Sequence, residues 1–269
     1  MKFFFYLMLA SSYLVLTSCK KEKTDTIQPG DKGELVLKFD NVVGGSNLQL
    51  NTGFYTNANG QRFNITMFNY YVSNISLIHT NGTKYTLPRD SSYFLIREED
   101  ATTHNIRLRN IPAGDYRGVE FVIGVDSVKC ASPASERTGV LDPAGAGAGM
   151  YWSWNSGYIF VKMEGTSDVA GSADKKFRFH IGGFGGYSSA TINNIKFTTL
   201  LAPGSDLAKV RKNKPSAPAI HILADASNLM NGGSNINLTT NHTVMFNPFS
   251  VNIAANYQSM FSIDHIHND

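Results

Sequence analysis

From residue 34 onward the chain breaks repeatedly into short runs in which apolar and polar residues alternate, and the runs end at Gly, Asn or Pro. Glu34-Leu35-Val36-Leu37-Lys38-Phe39-Asp40 is the clearest of them. A period of two sends successive side chains to opposite faces, so such a run buries one face only as a strand of a sheet. Residues 62–80 are longer and rich in β-branched and aromatic types, with a polar, aromatic centre (Asn69-Tyr70-Tyr71-Val72-Ser73-Asn74) that suits a bulge. Asn81-Gly82 then signals a type I′ hairpin before residues 84–87. Residues 93–96 form a further short run. Residues 104–111 and 116–125 flank Pro112-Ala113-Gly114-Asp115 and read as another hairpin. Residues 157–164, 176–181 and 190–199 continue the pattern, the last with Ile192, Ile195 and Phe197 as core candidates. Residues 218–224 are nearly all apolar, as in a central strand. Two fragments suit helix: residues 225–230, with Asp225 or Ser227 as cap and Gly232-Gly233 as stop, and residues 251–260. The pattern predicts an all-β fold. We expect a single β-sandwich domain over residues 33–269, immunoglobulin-like or a related antiparallel sandwich, with one or two short helices.

What precedes residue 33 is a different kind of sequence. Lys2 supplies a positive start, residues 3–16 are apolar, and Leu16-Thr17-Ser18-Cys19 matches a bacterial lipobox. Residues 1–18 therefore read as a lipoprotein signal peptide. The apolar run is shorter than the roughly 20 residues a spanning helix needs. Lipid on Cys19 would anchor the chain to a membrane without crossing it, which implies the cell envelope and the outer membrane, on its periplasmic or surface side. Residues 19–32 are polar and charged and read as a tether. The chain carries 24 Lys+Arg against 21 Asp+Glu, but Lys2, Lys20, Lys21, Lys23 and Lys32 sit in the leader and tether, so the rest is close to neutral. No basic stripe predicts a nucleic-acid partner. Lys209, Arg211, Lys212 and Lys214 lie among Pro203, Gly204, Pro215 and Pro218 and read as a surface loop. With Cys19 lipidated, Cys130 is the one thiol left, so neither an intramolecular disulfide nor a Cys-x-x-Cys site is open to the chain.

Residues 139–186 concentrate unusual chemistry. Both tryptophans, Trp152 and Trp154, lie here, with Met150 before them, Met163 after them and His180 followed by glycines. Thioether and imidazole together suit copper, as Cu(I), better than hard oxygen ligands do. The same residue types also fill β cores by packing alone. The Gly-Ala repeat at residues 145–149 lacks the Lys-Ser/Thr of a phosphate loop. His265 and His267 have the spacing that puts two rings on one side of a strand, ready for a third ligand from elsewhere. The candidate metal ligands are His180, His265, His267, Met260 and Met150. Asp126, Asp142 and Tyr158 are candidates for supporting hydrogen bonds around the site, with Tyr70 and Tyr71 packing near the Trp pair. His221, inside an apolar strand, reads as a hydrogen-bonded core histidine. No His-Glu-x-x-His or Gly-x-Ser-x-Gly is present, and the expectation is a protein that is not an enzyme.

The ordered set Asn69-Tyr70-Tyr71-Val72-Ser73-Asn74, Ile111-Pro112-Ala113-Gly114-Asp115-Tyr116, Gly124-Val125-Asp126, Met150 to Tyr158, Glu164-Gly165 and His180-Ile181-Gly182 resembles the MbnP-like proteins. The Trp-x-Trp-x-x-Gly-Tyr segment is the most specific piece, and the resemblance covers most of residues 33–269. It implies a β-sandwich that binds copper in the bacterial envelope and serves copper acquisition or handling. It also implies a di-haem partner, similar to MauG and cytochrome c peroxidase, that oxidises a tryptophan to kynurenine and so helps to form the copper site. Trp152 or Trp154 would be the modified residue. Read without the resemblance, the residues leave a second function open, a surface β-sandwich that binds glycan or protein through exposed aromatics.

Overall fold

The computed structural model describes residues 26–154 and 157–268. The signal peptide, the Cys19 lipidation site and most of the tether lie outside the described residues. In chain order the strands are β1 (Lys32–Val43), β2 (Ser46–Asn47), β3 (Phe54–Thr56), β4 (Arg62–His79), β5 (Lys84–Thr86), β6 (Tyr93–Arg97), β7 (Asn105–Pro112) and β8 (Gly114–Ile123). They continue with β9 (Tyr151–Trp152), β10 (Gly157–Thr166), β11 (Lys176–Gly182), β12 (Lys196–Leu201), β13 (Ala208–Val210), β14 (Ala219–Asp225), β15 (Thr243–Val244) and β16 (Phe261–His267). Two short helices, α1 (Ser127–Cys130) and α2 (Ser250–Tyr257), interrupt them.

The strands form two sheets in a sandwich-like all-β fold, as the alternation predicts. In the smaller sheet β14 lies between β1 and β16, and both β2 and β7 pair with β1. β14 runs parallel to β1 and antiparallel to β16. The larger sheet has the order β12-β8-β4-β10-β11-β15, with shorter strands added at its margins. The inner faces meet in one core. Leu35, Leu37 and Phe39 of β1 and Ile220 and Ile222 of β14 face Phe68, Tyr70 and Val72 of β4, Phe121 of β8 and Phe179 of β11. Phe39, Tyr70, Phe121 and Phe261 pack edge to face at its centre. Each such ring contributes roughly 1.5–3 kcal/mol by leaving water.

Three sequence expectations need correction. The runs at residues 104–111 and 116–125 do not pair as a hairpin: β7 registers with β1 in one sheet and β8 with β4 and β12 in the other. Each buries one face against the shared core from opposite sides, which produces the same alternation as a hairpin. The Asn81-Gly82 hairpin exists, joining β4 and β5, but only Gly82 takes a positive φ, so the turn is not type I′. Phe197 points outward from β12 and is exposed.

A second, smaller core sits on the outer face of the larger sheet. Tyr71, Tyr93, Leu95, Met150, Trp152, Tyr158 and Phe160 pack there under the segment from Asp126 to Met150. That segment is not a bare loop. Asp126 caps α1 through the Lys129 N–H. The Tyr71 and Tyr158 hydroxyls pin it by donating to the carbonyls of Val140 and Leu141, each at 2.8 Å.

Candidate functional site

The Trp pair stands at the edge of this second core. β9 pairs with the start of β10, Trp152 opposite Gly157. Trp152 is 5% exposed and Trp154 is 64% exposed, with ring centroids 5.3 Å apart and planes tilted by 42°. Trp152 also meets Phe246 edge on at 6.4 Å. Its six-membered ring rests on Gly182, where an added Cβ would come within 2.3 Å of the Tyr158 carbonyl oxygen and 2.8 Å of Trp152 Cζ3. The glycine is therefore required for this seat.

His180 lies two residues back along β11 and shares the face of Gly182. Its Nε2 is 2.7 Å from Oε1 of Glu164, and Lys162 Nζ is 3.6 Å from the same oxygen. Burial lowers the pKa of His180 even though Glu164 opposes the shift. Burial alone would raise the pKa of Glu164, but the His180 hydrogen bond and the Lys162 charge hold it below the ordinary value. At neutral pH a neutral imidazole therefore donates Nε2–H to an ionised carboxylate, which leaves Nδ1 as the nitrogen with a lone pair. Carboxylates orient metal-ligating histidines in the same way.

The other residues expected near this site have structural partners. Met150 is fully buried in the second core. Tyr158 holds Leu141, and Asp126 accepts from the Tyr93 hydroxyl at 2.5 Å besides capping α1. Asp142 accepts from the Ala144 N–H inside its own turn.

A second arrangement lies on the smaller sheet. His221 of β14 pairs directly with His265 of β16, and His267 follows two residues on. The register shifts between the pairs Ile222–Ile263 and His221–His265, so Asp264 is the extra residue of a bulge. Unbroken alternation would put His265 and His267 on the buried face with Phe261 and Ile263. The bulge turns both to the outer face, beside His221. One candidate ligand atom from each ring lies within 4.8 Å of the other two. His221 and His265 stack at 4.1 Å, and the Nε2 atoms of His265 and His267 are 2.9 Å apart. Asp264 Oδ2 is 2.6 Å from Nδ1 of His265. Burial, then the neighbouring His265, Lys38 and His267, push the pKa of His221 down to about 4. The strand end is tied to the β13 region: the Asn268 side chain accepts from the Lys209 N–H at 2.7 Å and donates to the Leu207 carbonyl at 2.9 Å.

The MbnP family model matches residues 32–247. The chain belongs to the MbnP family. A solved structure of MbnP from Methylosinus trichosporium is similar in fold, with a TM-score of 0.50 and 12% identity over 81% of this chain and 82% of that one. No curated protein sequence matches the chain. In this MbnP-family chain the matched segment contains the Trp pair, His180 and His221 but stops before His265 and His267.

The structure thus separates ligands that the sequence reading grouped together. His265 and His267 meet His221, whose assigned place was a hydrogen-bonded core position. His180, Met150 and Met260 are not part of that cluster. Met260 is buried in the main core, five residues before His265, a distance of roughly 16 Å along an extended strand. His221 was findable from sequence: Ile220 and Ile222 on either side are the buried positions, so alternation sends the histidine between them outward.

Proposed function

We propose that this MbnP-family chain is a lipid-anchored copper-binding protein of the cell envelope, not an enzyme, and that it serves copper acquisition or handling. The observation that carries the reading is an exposed Trp154 packed at a tilt against a buried Trp152, whose seat on Gly182 adjoins His180. Unmodified indoles offer a metal no lone pair, so the Trp pair with His180 has one nitrogen donor. Kynurenine supplies the missing donors, a ketone oxygen and an aniline nitrogen. A di-haem partner consuming two peroxide equivalents would insert one oxygen from each into the indole C2–C3 bond and release two waters. Hydrolysis then frees the C2 carbon as formate. Trp154 gives such a partner an exposed ring from which to draw electrons, and Trp152 lies in contact behind it. His180 Nδ1 is the nitrogen that would face the bound cation. Among the described residues no helix is long and apolar enough to cross a membrane, and in this reading attachment depends on Cys19.

The test is expression with and without the di-haem enzyme. The Trp peptide of the co-expressed chain should exchange one carbon for one oxygen, and copper retained at this site should track that change. An unmodified Trp peptide in the co-expressed chain, or a modified one that brings no copper beyond what the chain expressed alone retains, would overturn the reading. A second reading, a glycan- or protein-binding surface, is favoured by the exposure of Trp154 and Tyr187. It predicts that Trp154→Ala abolishes partner capture without altering copper content.

A further inference from the structure

The three histidines on the smaller sheet are distinct from the Trp pair in sheet, chemistry and place in the chain. We propose that His221, His265 and His267 form a metal site of their own, for a borderline divalent cation such as Cu(II) or Zn(II). The proposal does not depend on oxidation of either tryptophan.

Four observations converge on it. First, the donor atoms are already gathered. Metal–nitrogen bonds of about 2.0–2.1 Å place tetrahedral donors roughly 3.3 Å from one another. The His265 and His267 Nε2 atoms at 2.9 Å need only open by a few tenths of an ångström. Second, two facing Nε2 atoms at that distance share one proton, and a cation would take the place of that proton. Third, the Asp264 carboxylate accepts from Nδ1 of His265. It fixes the tautomer whose Nε2 carries the lone pair, and it brings negative charge beside the cation. This is the carboxylate–histidine arrangement that orients metal ligands. Fourth, the bulge at Asp264 is what presents both β16 histidines on the face of His221. The same bulge turns Ile266 toward the core, so the strand keeps its apolar layer while its two imidazoles face outward together.

The donor set decides the class of ion. Three imidazoles without a thiolate or thioether suit Zn(II), Ni(II) and Cu(II), and the usual order of affinities puts Cu(II) above Zn(II). Three protein ligands on an outward face leave the fourth position to water or a small ligand, as in open zinc sites. Lys38 lies opposite His221 in the neighbouring strand, but its side chain is exposed and its stem lets the ammonium swing into solvent.

The test is titration of the full, unmodified chain with zinc chloride and with cupric chloride. One equivalent should bind, with nitrogen hyperfine structure in the Cu(II) spectrum. His221→Ala or His265→Ala should weaken binding by more than about 100-fold, since loss of a supporting residue alone costs about 10- to 100-fold. Trp152→Phe and Trp154→Phe should leave it unchanged, which separates failure here from failure of the Trp-centred reading. His267→Gln, at an exposed position, gives the same answer should either alanine variant fail to fold. Unchanged affinity in the histidine variants, or equal loss in the tryptophan variants, would overturn the proposal.

Discussion

His221, His265 and His267 stand on two strands paired residue against residue, whereas Trp152, Trp154 and His180 are gathered from a two-residue strand, the turn after it and a third strand of the other sheet. The first region already points three nitrogens at one place. The second holds one available imidazole nitrogen and two indoles that supply none. In the first, position comes from backbone register and one bulge. In the second, it comes from packing, with Gly182 beneath Trp152 and Tyr71 and Tyr158 pinning the cover. A site set by register tolerates loss of its side chains, and one set by packing does not. Within one MbnP-family chain, then, an imidazole cluster gathered by register lies apart from a Trp pair that, in the proposed reading, would need oxidation before it could hold copper.

That contrast breaks most easily at Trp152. Its truncation to alanine should cost about 3–5 kcal/mol in a denaturant melt, the usual price for an aromatic in a core; a loss below about 1 kcal/mol would show that the second core does not hold the site. His221→Ala comes next, with a drop in zinc affinity equivalent to more than about 2.7 kcal/mol and an unchanged melt without metal. Gly182→Ala should cost about 1–3 kcal/mol by overpacking against the Tyr158 carbonyl and the Trp152 ring; an unchanged melt would contradict the close approach at this glycine. Asp264→Asn should lower zinc affinity by roughly 10-fold while the full stoichiometry remains. Trp154→Ala should change stability by no more than about 0.5 kcal/mol, the smallest effect, because the ring is exposed.

The strands were legible because burial on one face leaves a period of two in the sequence, as in β1 and β7, and because strands buried on both faces, such as β4, carry runs of β-branched and aromatic residues. What alternation does not encode is the sheet a strand joins, so β7 and β8 read as partners although they face each other across the core. A bulge is equally silent. Nothing in Phe261-Ser262-Ile263-Asp264-His265-Ile266-His267 announces that Asp264 is the extra residue, since that depends on the register with β14. The pairing of His265 with His267 was readable from spacing, and the outward turn of His221 from its apolar neighbours, but the meeting of the three was not, because it depends on the register between two segments more than forty residues apart. The Trp pair was readable as a concentration of rare residues. Which ring is buried followed only from the position of Gly182.

Copper stoichiometry tests the two-site account most directly, measured on the chain expressed alone and with a di-haem enzyme, each with and without His221→Ala. The account predicts one equivalent for the chain alone, lost in His221→Ala, and two equivalents after co-expression, of which one survives that substitution. A chain that binds no copper until it is oxidised, or a co-expressed chain whose copper is all lost in His221→Ala, would contradict it.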